Sequence, residues 1–168
     1  AGFHPVHRLD KGTSGLLVVA KHPYGQEKLK SQLHTGAFRR IYLAVCDGTP
    51  YPAQGVIDAP IGRAPGSLLA RRVDPEGQSA RTRYRVVCTC GPRSLVELQL
   101  DTGRTHQIRV HMAHMGCPLT GDFLYGREAP ALITRPALHS ARLELTHPIT
   151  RARLEFTAPL PEDMKVLL

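Results

Sequence analysis

The alternation of apolar and polar positions is clearest over residues 94–100, where Val96, Leu98 and Leu100 alternate with Leu95, Glu97 and Gln99. A period of two is typical of a β-strand with one face against a core. Residues 16–20 differ, because all five are apolar, and such a run predicts a buried strand. The two patterns together indicate that strands build most of the core.

The rest of the chain continues this pattern of short strands between turns. Apolar or alternating runs bounded by Gly, Pro and Asp predict further strands; they cover residues 38–46, 56–61 (broken at Pro60), 68–73, 80–88, 138–145 and 153–156. Helical spacing predicts helices over residues 24–33, 106–114 and 161–168, with Gly36 as a left-handed cap after the first. Many strands and few helices predict one α+β domain on an antiparallel or mixed sheet.

Candidate chemistry is concentrated in residues 7–15, which read HRLDKGTSG. In an extended segment Arg8 and Asp10 project to the same side, and Gly12 and Gly15 allow a sharp bend or a close approach to a ligand. A carboxylate displayed beside a basic residue on a loop is a candidate nucleophile. The same pair is equally consistent with a structural ion pair, and these residues alone leave both interpretations open.

Three further stretches of the sequence decide between these two interpretations. Residues 102–126 read TGRTHQIRVHMAHMGCPLTGDFLYG, residues 39–44 read RRIYLA, and the carboxyl-terminal part contains ALHSARLELTHPIT and FTAPLPEDM. Together with HRLDKGTSG, and in this order, they resemble the motifs of the RluA-type pseudouridine synthases, which isomerise uridine in RNA. The resemblance spans nearly the whole chain. It implies the pseudouridine synthase fold, a curved mixed sheet with a few flanking helices and a central catalytic cleft.

The resemblance also implies roles for individual residues. Asp10 matches the catalytic aspartate, Arg109 the cation that keeps it charged, and Tyr42 the active-site tyrosine, whose ring can stack on uracil. Arg8 matches the arginine linked to extruding the target nucleotide, and Ile108 is an apolar wall of the substrate site. The family uses no cofactor. It usually has a preceding strand and loop, so we expect residues 1–168 to be a catalytic domain without that segment or an appended RNA-binding domain.

The charge of the chain fits an RNA partner. Lys and Arg number 22 against 14 Asp and Glu, a net charge of +8, and this excess favours a polyanion. Arg104 lies just before the helix predicted at residue 106, where it and the helix amides could hold a phosphate. Arg39 and Arg40 would extend the basic surface, as would five further arginines, Arg71, Arg72, Arg81, Arg83 and Arg85. A merely solvated face explains these last five equally well.

Two alternative functions remain to be weighed. A non-catalytic RNA-binding module would be favoured by loss of the aspartate, tyrosine or late arginine, and all three are present. A metal-dependent hydrolase could use His106, His111 and His114, but their spacing is not that of a known metal motif and no acid lies between them. We therefore expect no metal.

The remaining expectations concern the setting of the protein. Cys88 and Cys90 are interpreted as buried thiols on one strand face, and the absence of a C-x-x-C pair argues against a zinc or redox motif. There is no apolar run of about 18 residues, so we expect no membrane span. We expect a cytoplasmic monomer that acts on ribosomal or transfer RNA.

Overall fold

The computed structural model describes residues 2–168, which contain eleven strands and three helices. The strands are β1 (His4–Pro5), β2 (Ser14–Gly15), β3 (Val19–Ala20), β4 (Arg39–Asp47), β5 (Gln54–Asp58), β6 (Ile61–Arg63), β7 (Arg71–Val73), β8 (Arg81–Cys90), β9 (Arg93–Leu100), β10 (Leu138–Thr146) and β11 (Arg153–Thr157). The helices are α1 (Pro23–Lys30), α2 (Gln107–His114) and α3 (Glu162–Lys165).

Seven strands form the main sheet, in the order β11-β10-β4-β9-β8-β5, with β2 paired to β10 outside this path. The β2–β10 pairing is parallel, and the other neighbours are antiparallel. Two small antiparallel pairs, β1–β3 and β6–β7, lie outside the main sheet. The predicted α+β architecture on a mixed sheet with few helices is therefore confirmed.

The core lies where α2 packs on the middle of the sheet. Val96 and Leu98 of β9 are fully buried, as the alternation predicted, and they form one cluster with Ala44 of β4 and with Ile108 and Met112 of α2. Each large apolar side chain buried in this way stabilises the fold by about 1.5–3 kcal/mol. This packing fixes the start of α2 beside the end of β9, where the candidate chemistry lies.

The boundaries of several predicted elements are confirmed closely. Pro60 separates β5 from β6, and the late helix occupies Gln107–His114. No helix within residues 2–168 is both long and apolar enough to cross a membrane.

The buried strand predicted over residues 16–20 is wrong. Only Val19–Ala20 of this segment form a strand, β3, which pairs with β1; the amide of Leu16 still donates to the carbonyl of Ser140 on β10 at 2.9 Å, so the segment changes partner midway. Leu16 and Val18 pack against a second core cluster, but Leu17 and Val19 are 41% and 43% exposed. The apolar run predicted a buried strand, whereas only one face of the segment is covered by neighbouring elements.

Two smaller predictions are also wrong. Helix α1 ends at Lys30 with Ser31 as a right-handed cap, and Gly36 does not take a positive φ. Cys88 is exposed and Cys90 half-buried, because a bulge between Val86 and Cys88 breaks the alternation of β8 before the cysteines are reached. Their Sγ atoms lie 3.8 Å apart, and both thiols are free.

Candidate active site

A cavity of about 390 Å³ opens where the amino-terminal segment crosses the sheet. Its walls come from residues 5–10, the end of α1, strand β4, and the connection from β9 into α2. The volume is in the range of small-ligand sites in proteins. The lining residues include His7, Arg8, Asp10, Lys30, Arg40, Tyr42, Gly103, Arg104, Gln107 and Ile108.

Asp10 reaches this cavity from a tight turn. The amide of Thr13 donates to the carbonyl of Asp10 at 2.9 Å, and Gly12 supplies the positive φ of 87° that the turn requires. Gly15 follows with φ 104°, and a Cβ there would lie 2.2 Å from the carbonyl oxygen of Ser140. The glycines flagged by the sequence therefore serve a turn and a close approach to β10, which together hold the Asp10 loop against the sheet.

A residue that the sequence reasoning missed also holds this loop. Arg135 donates from Nη1 to the carbonyls of Gly12 at 2.9 Å and Leu138 at 3.0 Å. Its Nε and Nη2 atoms form a two-point ion pair with Asp163 of α3, at 2.7 and 2.9 Å. Arg135 thus joins the Asp10 loop, the start of β10 and the terminal helix. Its only sequence signal was its position just before one of the closing motifs.

Tyr42 faces the same cavity from the central strand β4 and is almost fully buried. Burial raises the pKa of Tyr42, and the negative charge of Asp10 raises it further, against the opposing effect of Arg40. The hydroxyl is therefore protonated at neutral pH. It can donate a hydrogen bond to a ligand, while its ring forms part of the wall.

Arg109 differs from the simple partner of Asp10 that we expected. It is 3% exposed, and its Nε and Nη2 atoms donate to the fully buried Asp122 at 2.7 and 2.8 Å. Burial alone would lower the pKa of Arg109, but the bonds and charge of Asp122 outweigh it, and the charge of Asp10 adds to the rise. Asp10 is therefore within electrostatic reach of Arg109, whereas the direct hydrogen bonds of Arg109 go to Asp122.

The Arg109–Asp122 pair is enclosed by aromatic rings and backbone donors. The guanidinium lies 5.4 Å from the ring centroid of Phe123 and 5.0 Å from that of Tyr125. Asp122 Oδ1 also accepts from the amides of Leu124 and Tyr125. Burial would raise the pKa of Asp122, but these donors and Arg109 keep it below its usual range. The pair is a satisfied buried ion pair, and Ile108, next to Arg109 in sequence, lines the cavity.

The other predicted site residues divide into two groups. Ile108, buried, and Arg8, exposed, line the cavity, as does Arg104, whose Nε donates to the carbonyl of Ser79 at 2.8 Å. Arg40 also lines it. Arg39 points to the other face of β4, where it donates to Glu144 at 3.3 Å and to Gln99 at 3.1 Å. Because consecutive strand residues face opposite sides, only one of these two arginines reaches the cavity.

Comparison with known proteins identifies the family. Residues 1–114 match the family model described as RNA pseudouridylate synthase. The chain belongs to the RNA pseudouridylate synthase family. A Chloroflexus aurantiacus protein named uncharacterized RNA pseudouridine synthase is 50% identical over 164 residues, covering 97% of this chain and 52% of the relative. The ribosomal large subunit pseudouridine synthase D of Nitrosomonas europaea is 46% identical over 171 residues, covering 97% and 49%. The RluA-type resemblance is confirmed, and the chain spans about half the length of these relatives.

Solved structures agree with the family assignment. Human RNA pseudouridylate synthase domain containing 1 superposes with a TM-score of 0.79 at 27% identity, covering 94% of this chain and 69% of that one. Human RNA pseudouridylate synthase domain containing 4 gives a TM-score of 0.78, also at 27% identity, with coverages of 97% and 73%. The predicted pseudouridine synthase fold is thereby confirmed.

The surface arginines of this pseudouridylate synthase domain are less available than the sequence suggested. Arg81 and Arg83 both pair with Asp101, at 3.4 and 3.0 Å, and Arg85 pairs with Glu97 at 3.2 Å. They share one exposed face of β8, as the alternation predicted. Neighbouring carboxylates on β9 and just after it offset part of their charge, so this face is less basic than its arginines imply.

The three clustered histidines have separate surroundings in this domain. His111 is fully buried; one ring nitrogen contacts Thr82 Oγ1 at 2.8 Å and the other the carbonyl of Ala59 at 2.9 Å. His114 is exposed, and His106 contacts the hydroxyl of Tyr125 at 2.6 Å. His106 starts α2 with φ 57°. Burial lowers the pKa of His106 while the charge of Asp10 opposes the change, so His106 is within electrostatic reach of Asp10.

Proposed function

We propose that this chain is the catalytic domain of an RNA pseudouridine synthase that uses Asp10 as its catalytic carboxylate. The observation that carries the proposal is a single cavity lined by Asp10 and Tyr42, with Arg109 next in sequence to the lining residue Ile108 and within the influence of the Asp10 charge. These residues come from three separate parts of the chain. A carboxylate, a protonated phenol and a buried guanidinium suffice for an isomerisation that needs no redox step and no phosphoryl transfer.

The reaction is balanced within the substrate. The bond between uracil N1 and ribose C1′ breaks, the base turns, a bond forms between C5 and C1′, C5 loses a proton, and N1 gains one. In our proposal the Asp10 carboxylate acts at the ribose, either by attack on C1′ or by removal of a ribose proton. The Tyr42 ring stacks on the base, and its hydroxyl donates a hydrogen bond.

Arg109 would act on Asp10 by its charge. Asp122 takes Nε and Nη2, so Nη1 is the guanidinium nitrogen left to face Asp10 when a base covers the cavity. A cation close to a carboxylate favours its ionised form and opposes the effect of burial beneath a substrate. The Asp122 pair fixes the orientation of Arg109, which makes Asp122 a positioning residue.

The rim of the cavity would handle the RNA. A base extruded from a stem leaves a gap in the stack, at a cost of a few kcal/mol, and the exposed guanidinium of Arg8 can stack in that gap. Arg104 would contact a backbone phosphate, Arg39 would act only through its charge, and Ile108 would support the uracil face. The name of the Nitrosomonas europaea relative favours ribosomal RNA as the substrate, with transfer RNA as the alternative.

The cellular location and the oligomeric state belong to the same proposal. We propose that the protein acts in the cytoplasm, because its relatives from Chloroflexus aurantiacus and Nitrosomonas europaea are bacterial proteins and bacterial ribosomal RNA is cytoplasmic. We also propose that the protein acts as a monomer.

The test is to incubate the chain with unmodified ribosomal and transfer RNA and to map pseudouridine at nucleotide resolution. We expect modification of ribosomal RNA at a defined uridine, abolished in Asp10→Asn without loss of RNA binding. Asp58→Asn is the matched control, because Asp58 is an exposed carboxyl on β5. Turnover that survives Asp10→Asn would contradict the role of Asp10 as the catalytic carboxylate. Modification of transfer RNA alone would show that transfer RNA, and not ribosomal RNA, is the substrate.

A further inference from the structure

Arg40 is buried and forms no ion pair with any described residue. Its side chain lines the cavity, it is 5% exposed, and within residues 2–168 its Nε and Nη2 atoms have no hydrogen-bond partner. Burial lowers the pKa of Arg40, and the neighbour that opposes this is the hydroxyl of Tyr42 rather than a carboxylate. An isolated buried charge is costly to a protein. Such a group therefore calls for an anion that the folded chain does not itself supply.

His7 presents a second unpartnered donor to the same cavity. It is 7% exposed, and its Nε2 accepts a hydrogen bond from the amide of Val18 at 3.1 Å. Burial and the charge of Arg40 lower the pKa of His7 to about 4, so the ring is neutral and its proton must be on Nδ1. In the part of the chain that the structure describes, Nδ1 has no acceptor.

The backbone leaves room beside these donors. Gly103 lies against the Arg40 guanidinium, and a Cβ at that position would be 3.1 Å from Nη1. Three further basic side chains, Arg8, Lys30 and Arg104, line the cavity, and among its lining residues Asp10 is the one carboxylate. The donors are thus buried at one side of a basic cavity that also holds the candidate catalytic group.

We propose that Arg40 and His7 form a phosphate-binding subsite that holds a backbone phosphate of the target nucleotide. A phosphodiester supplies both the negative charge that Arg40 lacks and an oxygen acceptor for His7 Nδ1–H. Fixing this phosphate would orient the attached ribose toward Asp10. The subsite rests on the proposed function for its RNA ligand, whereas the binding of a phosphate group stands on the two donors alone.

The test is to measure binding of uridine, uridine 5′-monophosphate, uridine 3′-monophosphate and inorganic phosphate to the chain by calorimetry. We expect at least one monophosphate to bind on the order of tenfold more tightly than uridine, since hydrogen bonds to a charged phosphate are stronger than those between neutral groups. Arg40→Met should remove this advantage, and Arg40→Lys should keep part of it. Arg93→Met is the matched control, because Arg93 also has an unbonded buried Nε but lies 3.8 Å from Asp47.

Thermal melting of the unliganded variants separates a binding role from a structural one. If Arg40 serves a ligand, Arg40→Met removes an uncompensated buried charge, so its melting temperature should equal or exceed that of the unaltered chain. A clear fall in melting temperature with unchanged monophosphate binding would overturn the proposal. So would a monophosphate advantage that survives Arg40→Met, and inorganic phosphate binding as tightly as the monophosphates would exclude a nucleotide phosphate as the ligand.

These outcomes are independent of the proposed reaction. Pseudouridine formation by the unaltered chain is measured separately, so an active enzyme without a monophosphate preference refutes the subsite only. An inactive chain with that preference refutes the proposed function and leaves phosphate recognition in place.

Discussion

Arg109 and Arg40 are buried to the same degree, 3% and 5% exposed, yet their surroundings differ. Arg109 has a two-point ion pair with Asp122 and two aromatic rings beside it. Arg40, of the residues the structure describes, has none that accepts from its Nε or Nη2. The comparison teaches that burial of an arginine does not itself indicate its role. A satisfied charge stabilises and positions, whereas an unsatisfied one at a cavity wall is available to a ligand.

The largest effect should come from breaking the satisfied pair. Arg109→Met leaves Asp122 buried without its guanidinium, and we expect a loss of roughly 3–5 kcal/mol in the free energy of unfolding. Adding Asp122→Asn to that variant should recover part of the loss, because the unpaired charge is removed. Urea unfolding at neutral pH measures both. A loss under about 1 kcal/mol would place this pair with ordinary surface ion pairs and would remove the contrast with Arg40.

The stability of the fold should depend on pH through one titratable neighbour of each arginine, Asp122 beside Arg109 and His7 beside Arg40. The folded-state pKa of Asp122 is lowered, so its stabilisation is complete above the ordinary Asp pKa of about 3.9 and is lost as pH falls through the lower folded value. The folded pKa of His7, beside Arg40, is lowered to about 4. As pH falls, the His7 ring takes up a proton in the unfolded chain, where its pKa is about 6.5, before it does so in the folded one. The free energy of unfolding therefore falls by roughly 2–3 kcal/mol as pH drops from about 6.5 to 4.

Unfolding free energies of the unaltered chain, His7→Phe and Asp122→Asn, measured from pH 7 to pH 2, check these two windows. We expect His7→Phe to reduce the change of unfolding free energy with pH between about 6.5 and 4, and Asp122→Asn to reduce the change below about 3.9. His106 and His111 add slopes of the same sign in the upper window, so some dependence should persist there in His7→Phe. An identical slope in the unaltered chain and His7→Phe would show that His7 is not held neutral by the fold.

Arg135 sharpens the comparison, because it is paired with Asp163 and also donates to the Asp10 loop. Arg135→Met should lower the free energy of unfolding by about 1–2 kcal/mol, the value of a few partly exposed hydrogen bonds. Turnover should fall much further, on the order of a hundredfold, because a displacement of the carboxylate by about 1 Å has that cost. Pseudouridine formation and urea unfolding, measured on the same variant, check this prediction. If turnover falls only in proportion to the loss of folding stability, Arg135 has a purely structural role.

The smallest effect concerns the exposed arginines. Arg104→Ala should weaken RNA binding and reduce the slope of log K against log salt by roughly 0.7–0.9, the value for one phosphate contact. Arg83→Ala should reduce the slope less, because Arg83 already pairs with Asp101 at 3.0 Å. Filter binding over a salt series compares the two. A greater reduction for Arg83→Ala would mean that the arginine face of β8 is the main RNA contact.

Local patterns predicted some features well, and long-range pairing explains the failures. The alternation of residues 94–100 sufficed to predict β9, because one face of that strand contacts the core throughout its length. Residues 16–20 misled, because the chain changes partner strands within five residues. The cysteines of β8 misled because a single bulge shifts which side chains face outward.

The candidate site shows the same division. Asp10, Tyr42 and Arg109 were predicted from the motifs that contain them. Asp122 lies inside one of those motifs, but its pairing with Arg109 depends on how the loop after α2 folds back over the helix. Neither its buried position nor the hydrogen bonds of Arg135 to the Asp10 loop follows from spacing along the chain.

The sequence by itself determined the family, the α+β architecture and the identity of the candidate catalytic residues, because these depend on residue types in order and on local periodicity. The tertiary structure decided which charges are satisfied. Asp122 meets Arg109, Asp101 meets Arg83, and Glu144 meets Arg39, while among residues 2–168 nothing bonds to His7 Nδ1 or to Nε and Nη2 of Arg40. The energy of a charge depends on what surrounds it in three dimensions, and distance along the chain does not measure that.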